Sequence, residues 1–163
     1  MRVNLISMSR AHSFVITISN NLTEKEGINY LIENHTGFFK IDRAFKKELL
    51  DALDLSHKFL QAFDMIYIPE YVGKHITDGF IVANLENIVL IELKTTKKYL
   101  PQNPKGFFFG ATENEFKFGE ALGPKFRFCF VCLNEKSPSF SLMTIQELED
   151  IIRNRRIQFQ INL

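Results

Sequence analysis

The chain has 163 residues, 45% of them hydrophobic and 24% charged, which suits one globular domain with a sizeable core. Its net charge of +1 announces no global field for nucleic acid, and no apolar run reaches the roughly 20 residues of a membrane-spanning helix. The N-terminus lacks the long apolar stretch of a signal peptide, so a cytoplasmic location without membrane contact is expected.

In chain order, Phe14 to Ile18 reads as a first strand. Thr23 and Glu26 form a capping box for a helix to about Glu33. Asp42 can cap a longer helix running to about Phe63, with Phe45, Leu49, Leu53, Leu60 and Phe63 on its apolar face. Met65 to Ile68 is a strand closed by Pro69. A second strand covers about His75 to Ala83, Asn84 to Asn87 turns the chain, and a third strand runs from about Ile88 to Lys94. Short connections predict an antiparallel meander for these three.

Pro101, Pro104 and Gly106 make the next stretch a loop, and Phe107 to Phe109 is a short extended apolar piece. Thr112 and Glu115 form a second capping box, opening a helix that ends near Gly123-Pro124. Phe126 to Leu133 is a strand that, following a helix, can join in parallel. Phe140 to Leu142 is a further strand candidate, and Thr144 with Glu147 starts a helix to about Asn154. The tail Ile157 to Asn162 alternates like a half-exposed strand. The expectation is one α/β domain over 1–163, with helices flanking a mixed sheet.

The chemistry concentrates in Ile91-Glu92-Leu93-Lys94. Glu92 and Lys94, two apart, share one face of an otherwise apolar strand, where charges must be paired or employed. Across the expected hairpin, Asp78 would lie beside Glu92 or Lys94, at the roughly 5 Å of cross-strand neighbours. Asp78 and Glu92 would offer carboxylates to a divalent metal, and the Leu93 carbonyl a third oxygen. Such an ion lowers the pKa of its water and neutralises phosphate charge, while the Lys94 ammonium stabilises the pentacovalent phosphate.

The pattern Asp78-x13-Glu92-x-Lys94, with its helix–three strands–helix–strand order over about Asp42 to Leu133, resembles the PD-(D/E)xK nuclease superfamily. The resemblance implies a restriction-endonuclease-like core in which Asp78 and Glu92 bind Mg2+, with Mn2+ a substitute, and Lys94 positions the nucleophile. Thr77 stands where proline is usual before the first acid. Some members add an acid from the first core helix, which points to Glu48, with Glu33 behind it. Glu92 to Thr96, Phe107 to Phe109, Thr112 to Glu115 and Gly119-Glu120 are also similar to the nuclease-like domain at the C-terminus of NO VEIN-type proteins. That likeness implies that Asn114 and Glu115 belong to the site region; helix capping explains Glu115 equally well.

Other features have plainer readings. Cys129 and Cys132 have the spacing of half a zinc site or a redox pair, but no second pair follows and a strand turns their sulfurs to opposite faces, as for buried thiols. No histidine has a partner at metal spacing; His75 alone lies near Asp78. The 17 phenylalanines fall at core positions, with Phe107 to Phe109 as exceptions beside a basic loop. In that loop Lys97, Lys98 and Lys105 can contact phosphates.

The function expected is a Mg2+-dependent DNA endonuclease of restriction or defence type. A homodimer, a partner nuclease or a recognition subunit would be needed to cut both strands. The alternatives are a non-catalytic nucleic-acid-binding or assembly module, and an RNase or structure-selective nuclease.

Overall fold

A computed structural model describes residues 23–73, 75–77 and 79–155. The strand expected at Phe14 to Ile18 and the tail from Ile157 lie outside the described residues. The architecture is α/β, an open five-stranded mixed sheet flanked by helices.

Helix α1 (23–34) precedes strand β1 (Phe38–Lys40), which the sequence reading missed. Helix α2 (Arg43–Ala52) starts where Asp42 accepts the Phe45 N–H at 2.8 Å. It does not run to Phe63. Leu55 N–H donates to Leu50 C=O at 2.8 Å and Asp54 N–H to Asp51 C=O at 3.1 Å, with Asp54 left-handed at φ 54°. That pair of bonds closes the last turn and turns the chain out, with aspartate in the place glycine usually takes. A 3₁₀ turn (His57–Phe59) then leads to strand β2 (Met65–Tyr67).

The segment expected as a strand at His75 to Ala83 holds helix α3 (Phe80–Asn84), and Asn87 N–H bonds Asn84 C=O where a hairpin was expected. Phe80 and Ile81 bury against the core, so tertiary packing overrides the β-branched look of Ile81 and Val82. An antiparallel β1–β2–β3 meander does form, with β1 in place of the strand expected at 75–83. Strand β2 pairs directly with strand β3 (Val89–Thr96), Met65 opposite Ile91.

Strand β3 is central. It pairs in parallel with strand β4 (Phe126–Cys132), as expected, with Glu92 opposite Phe128 and Lys94 opposite Phe130. Between them lie helix α4 (Glu113–Leu122) and a 3₁₀ turn (Gly123–Lys125). Strand β5 (Ser139–Met143) is the antiparallel edge, followed by helix α5 (Ile145–Ile151), which ends before Asn154. Both downstream capping boxes, Thr112/Glu115 and Thr144/Glu147, are present.

Alternation along the strands divides the core between the two sheet faces. On one face Ile28 and Leu31 of α1 cover Phe38, Met65, Ile91, Leu93, Cys129 and Val131. On the other, Leu49 and Leu50 of α2, Phe118 of α4 and Leu148 of α5 cover Ile66, Leu90, Phe126, Phe128 and Phe130. Glu92 and Lys94 share the parity of Leu90 and so belong to this second, phenylalanine-rich face. Cys129 and Cys132 are both buried and free, and burial pushes the Cys129 thiol far up, which leaves it inert. Among the described residues no helix is long and apolar enough to cross a membrane.

Candidate active site

Strand β3 outruns β2 by several residues. Just before β2 begins, Asp64 takes the position opposite Glu92: its N–H donates to Ile91 C=O at 2.7 Å, and its Oδ2 accepts the Leu93 N–H at 2.8 Å. The Asp64 carboxyl lies close enough for its charge to act on Glu92. In a strand a residue's N–H and C=O turn to the same side, so the Leu93 carbonyl also faces the Asp64 edge.

Glu92 is only 5% exposed. Its Oε1 accepts from Lys94 Nζ at 2.7 Å, and its buried Oε2 has no hydrogen-bond partner. Lys94 Nζ also donates to Glu115 Oε2 at 3.0 Å and lies 5.8 Å from the centre of the Phe128 ring. The same Glu115 oxygen accepts the Thr112 N–H at 3.1 Å. Glu115 therefore caps α4 and anchors Lys94 at once. Asn114 sits beside it but reaches away, donating to Lys58 C=O at 3.2 Å.

Two further residues complete the cluster. Lys46 of α2 donates to Leu60 C=O at 3.4 Å and to Phe63 C=O, which sets its charge beside Asp64. Glu24 of α1 comes to the rim of the site, where its charge couples to Asp64, Lys46 and Lys94. Four carboxylates, Glu24, Asp64, Glu92 and Glu115, thus gather about Lys46 and Lys94, with Lys40 acting on Glu24 at the rim.

The proton affinities record that excess. Burial, then the Asp64 charge, pushes the Glu92 carboxyl well above the usual carboxylate range, and Lys94 only partly offsets them. Burial raises Asp64 too, against the pull of the Leu93 N–H and of Lys46. Burial and Asp64 raise Glu24. Burial alone would lower Lys94, but Glu92 and Glu115 outweigh it and raise its pKa, so the lysine stays charged.

Of the expected site residues, the structure brings Glu92, Leu93 and Lys94 together with Glu115. Asp78 lies outside the described residues, and the hairpin expected to set it beside Glu92 or Lys94 is replaced by α3. Glu48 and Glu33 are exposed helix residues, and the helical acid near the cluster is Glu24. Lys97 pairs with Glu26 at 2.6 Å, while Lys98 and Lys105 are exposed. His75 is exposed.

The sequence reading missed Asp64 and Lys46. The signal for Asp64 was present, an acid immediately before an apolar strand, but the misplaced strand at 75–83 hid which acid stood opposite Glu92. Lys46 shares a helix face with Leu49, Leu50 and Leu53, a spacing that marks it as partly buried.

Among the described residues no three Asp, Glu, His or Cys side chains converge closely enough to cage an ion by themselves. Two carboxylates and a carbonyl, completed by water and phosphate, are the kind of set magnesium uses, because it dehydrates reluctantly. The partnerless Glu92 Oε2 and the surplus of carboxylates fit a divalent cation at the Asp64–Glu92 pair. No family model, no curated protein and no solved structure matches the chain.

Proposed function

We propose that the chain is a magnesium-dependent endonuclease acting on DNA, with a restriction-endonuclease-like core and Asp64 in the role of first acid. The observation that carries the reading is the buried, partnerless Glu92 Oε2 beside the Asp64 carboxyl, with a charged lysine two residues on. Asp64, Glu92 and the Leu93 carbonyl would hold Mg2+ or Mn2+, with Glu24 able to support the ion from the rim. Bound there, the ion supplies charge neutralisation and an acidified water.

The protein's own groups do the rest. Lys94 remains an ammonium, so it acts as a donor and not as a base. Two of its three N–H bonds go to Glu92 and Glu115, and the third is available to a phosphate oxygen or to the attacking water. Glu115 keeps that ammonium in place. Lys98 and Lys105, with Lys97 once released from Glu26, contact phosphates and fix the strand's position. A single site cuts one strand, so a double-strand cut requires a homodimer or a partner subunit. A restriction or defence setting suits such an activity.

The test is incubation with supercoiled plasmid, linear duplex, single-stranded DNA and RNA, with Mg2+, Mn2+ or EDTA. DNA cleavage that needs the metal and disappears in Glu92→Gln and Lys94→Ala is expected. No cleavage of any substrate with either metal ends the catalytic reading, and cleavage of RNA alone reassigns the substrate. A fully active Lys94→Ala shows that the site is misassigned.

A further inference from the structure

Phe108 is 91% exposed, although both its neighbours are anchored. Phe107 packs on Phe130 and Phe109 on Phe130 and Phe128, with ring centres 5.0, 5.0 and 6.0 Å apart. Phe128 is also the ring under Lys94, so a short chain of aromatic contacts joins Phe108's neighbour to the candidate site.

The loop that presents Phe108 is built rather than loose. Asn103 Nδ2 donates to Phe130 C=O at 2.8 Å, Lys105 N–H to Gln102 C=O at 2.7 Å, and Phe107 N–H to Pro104 C=O at 2.9 Å. Gly106 turns the chain at φ +84°, a conformation suited to glycine. From Thr95 to Thr112 there are three lysines and no acid. A fully solvated aromatic ring, held rigid on a basic loop, has the two elements of single-strand recognition: a stacking surface and phosphate attraction.

We propose that Phe108 stacks on an unpaired base, so that the strand delivered to Lys94 is single-stranded or locally splayed nucleic acid. The proposal rests on the nuclease reading and narrows its substrate. An intact duplex keeps its bases stacked on one another and offers no face to this ring.

The chain has no tryptophan, so Phe108→Trp introduces a single tryptophan at the point of contact, excited beyond the absorption of the four tyrosines. Its emission is measured in EDTA against oligothymidylate, an abasic strand of equal length and a relaxed circular duplex, which has no exposed terminal pair. Quenching by oligothymidylate alone is expected. Phe108→Ala should weaken oligothymidylate binding about 5- to 150-fold, the range of one base–aromatic stack, with its urea midpoint unchanged.

Absence of quenching while the wild type cuts or binds nucleic acid overturns the stacking role and leaves the nuclease reading standing. Quenching in a protein that cuts nothing upholds the stacking surface and removes the nuclease. Equal quenching by the duplex overturns the single-strand preference. Emission that tracks protein concentration, with a dimer by sedimentation that Phe108→Ala dissolves, assigns the ring to self-association and overturns the proposal.

Discussion

Asp64 faces Glu92 across the end of β2, and each end of the aspartate is fixed to β3: its N–H on Ile91 and its carboxylate on the Leu93 N–H. The residue therefore does two jobs. It continues the strand pairing for one step beyond β2, and it holds a carboxyl against Glu92, where a cation would separate them.

These jobs come apart by substitution. Asp64→Asn keeps an oxygen for the Leu93 N–H but removes the charge. Cleavage should be lost while the urea midpoint in EDTA holds or rises, because the amide escapes the burial cost of the carboxylate. Asp64→Ala also strands that N–H, so stability should fall by about 1–3 kcal/mol. An active Asp64→Asn in the plasmid assay rules Asp64 out as first acid.

The raised carboxyls set a pH dependence for the metal-free protein. Burial first, and the mutual charge second, raise Glu92, and burial raises Asp64. A carboxyl held above its unfolded value binds its proton more tightly when folded, so stability declines as pH climbs through and above the usual carboxylate range. Melting temperature in EDTA should fall from mildly acid buffer to neutrality. On the proposed reading Mg2+ would take the proton's place, so its stabilising shift should grow over the same interval. Exposed Glu113 and Glu147, lowered by Lys117 and by Thr144, act below that range in the opposite sense. Glu92→Gln should flatten the EDTA slope; an unchanged slope would show that these carboxyls titrate normally.

What the sequence disclosed, and what it hid, follows the range of the forces involved. The capping boxes at Thr112 and Thr144 and the apolar run of β4 are local signals, and all three elements form, with α5 stopping at Ile151. Glu92 and Lys94 stood out because a charged pair in an apolar strand needs a reason. The identity of the opposing acid depends on register, and register depends on which strands pair, a non-local matter. Phe80 to Asn84 has strand-like composition yet folds as a helix, and that one exchange moved attention from Asp64 to Asp78. Glu24 and Lys46 reach the cluster from two different helices, a convergence only packing creates.

Glu115 offers a cleaner separation of structure from function. Glu115→Gln can still accept the Thr112 N–H and cap α4, but it removes one of the two charges that keep Lys94 protonated. Helix stability should be nearly unchanged, whereas Thr112→Ala should cost about 1 kcal/mol as a lost cap. Burial then weighs more heavily on Lys94, so its pKa should drop and the alkaline limb of the pH–rate profile should move to lower pH. A profile identical to wild type would leave Glu115 as a cap alone.

The approach of α1 to β3 is set by one missing side chain. A Cβ on Gly27 would lie 2.1 Å from Thr95 Cγ2 and 3.3 Å from a Leu93 methyl, both in the central strand. Gly27→Ala gains helix propensity, roughly 1 kcal/mol, but must push α1 off the sheet, at a cost of about 1–3 kcal/mol for overpacking. Because Gly27 and Glu24 are three apart on α1, that displacement also withdraws Glu24 from Asp64. Gly27→Ala should lower the urea midpoint and weaken Mg2+ binding by calorimetry. Thr95→Ser removes the methyl in the way, so the double variant should recover much of both losses. Additive losses in the double variant would show that the Thr95 contact does not set the helix position.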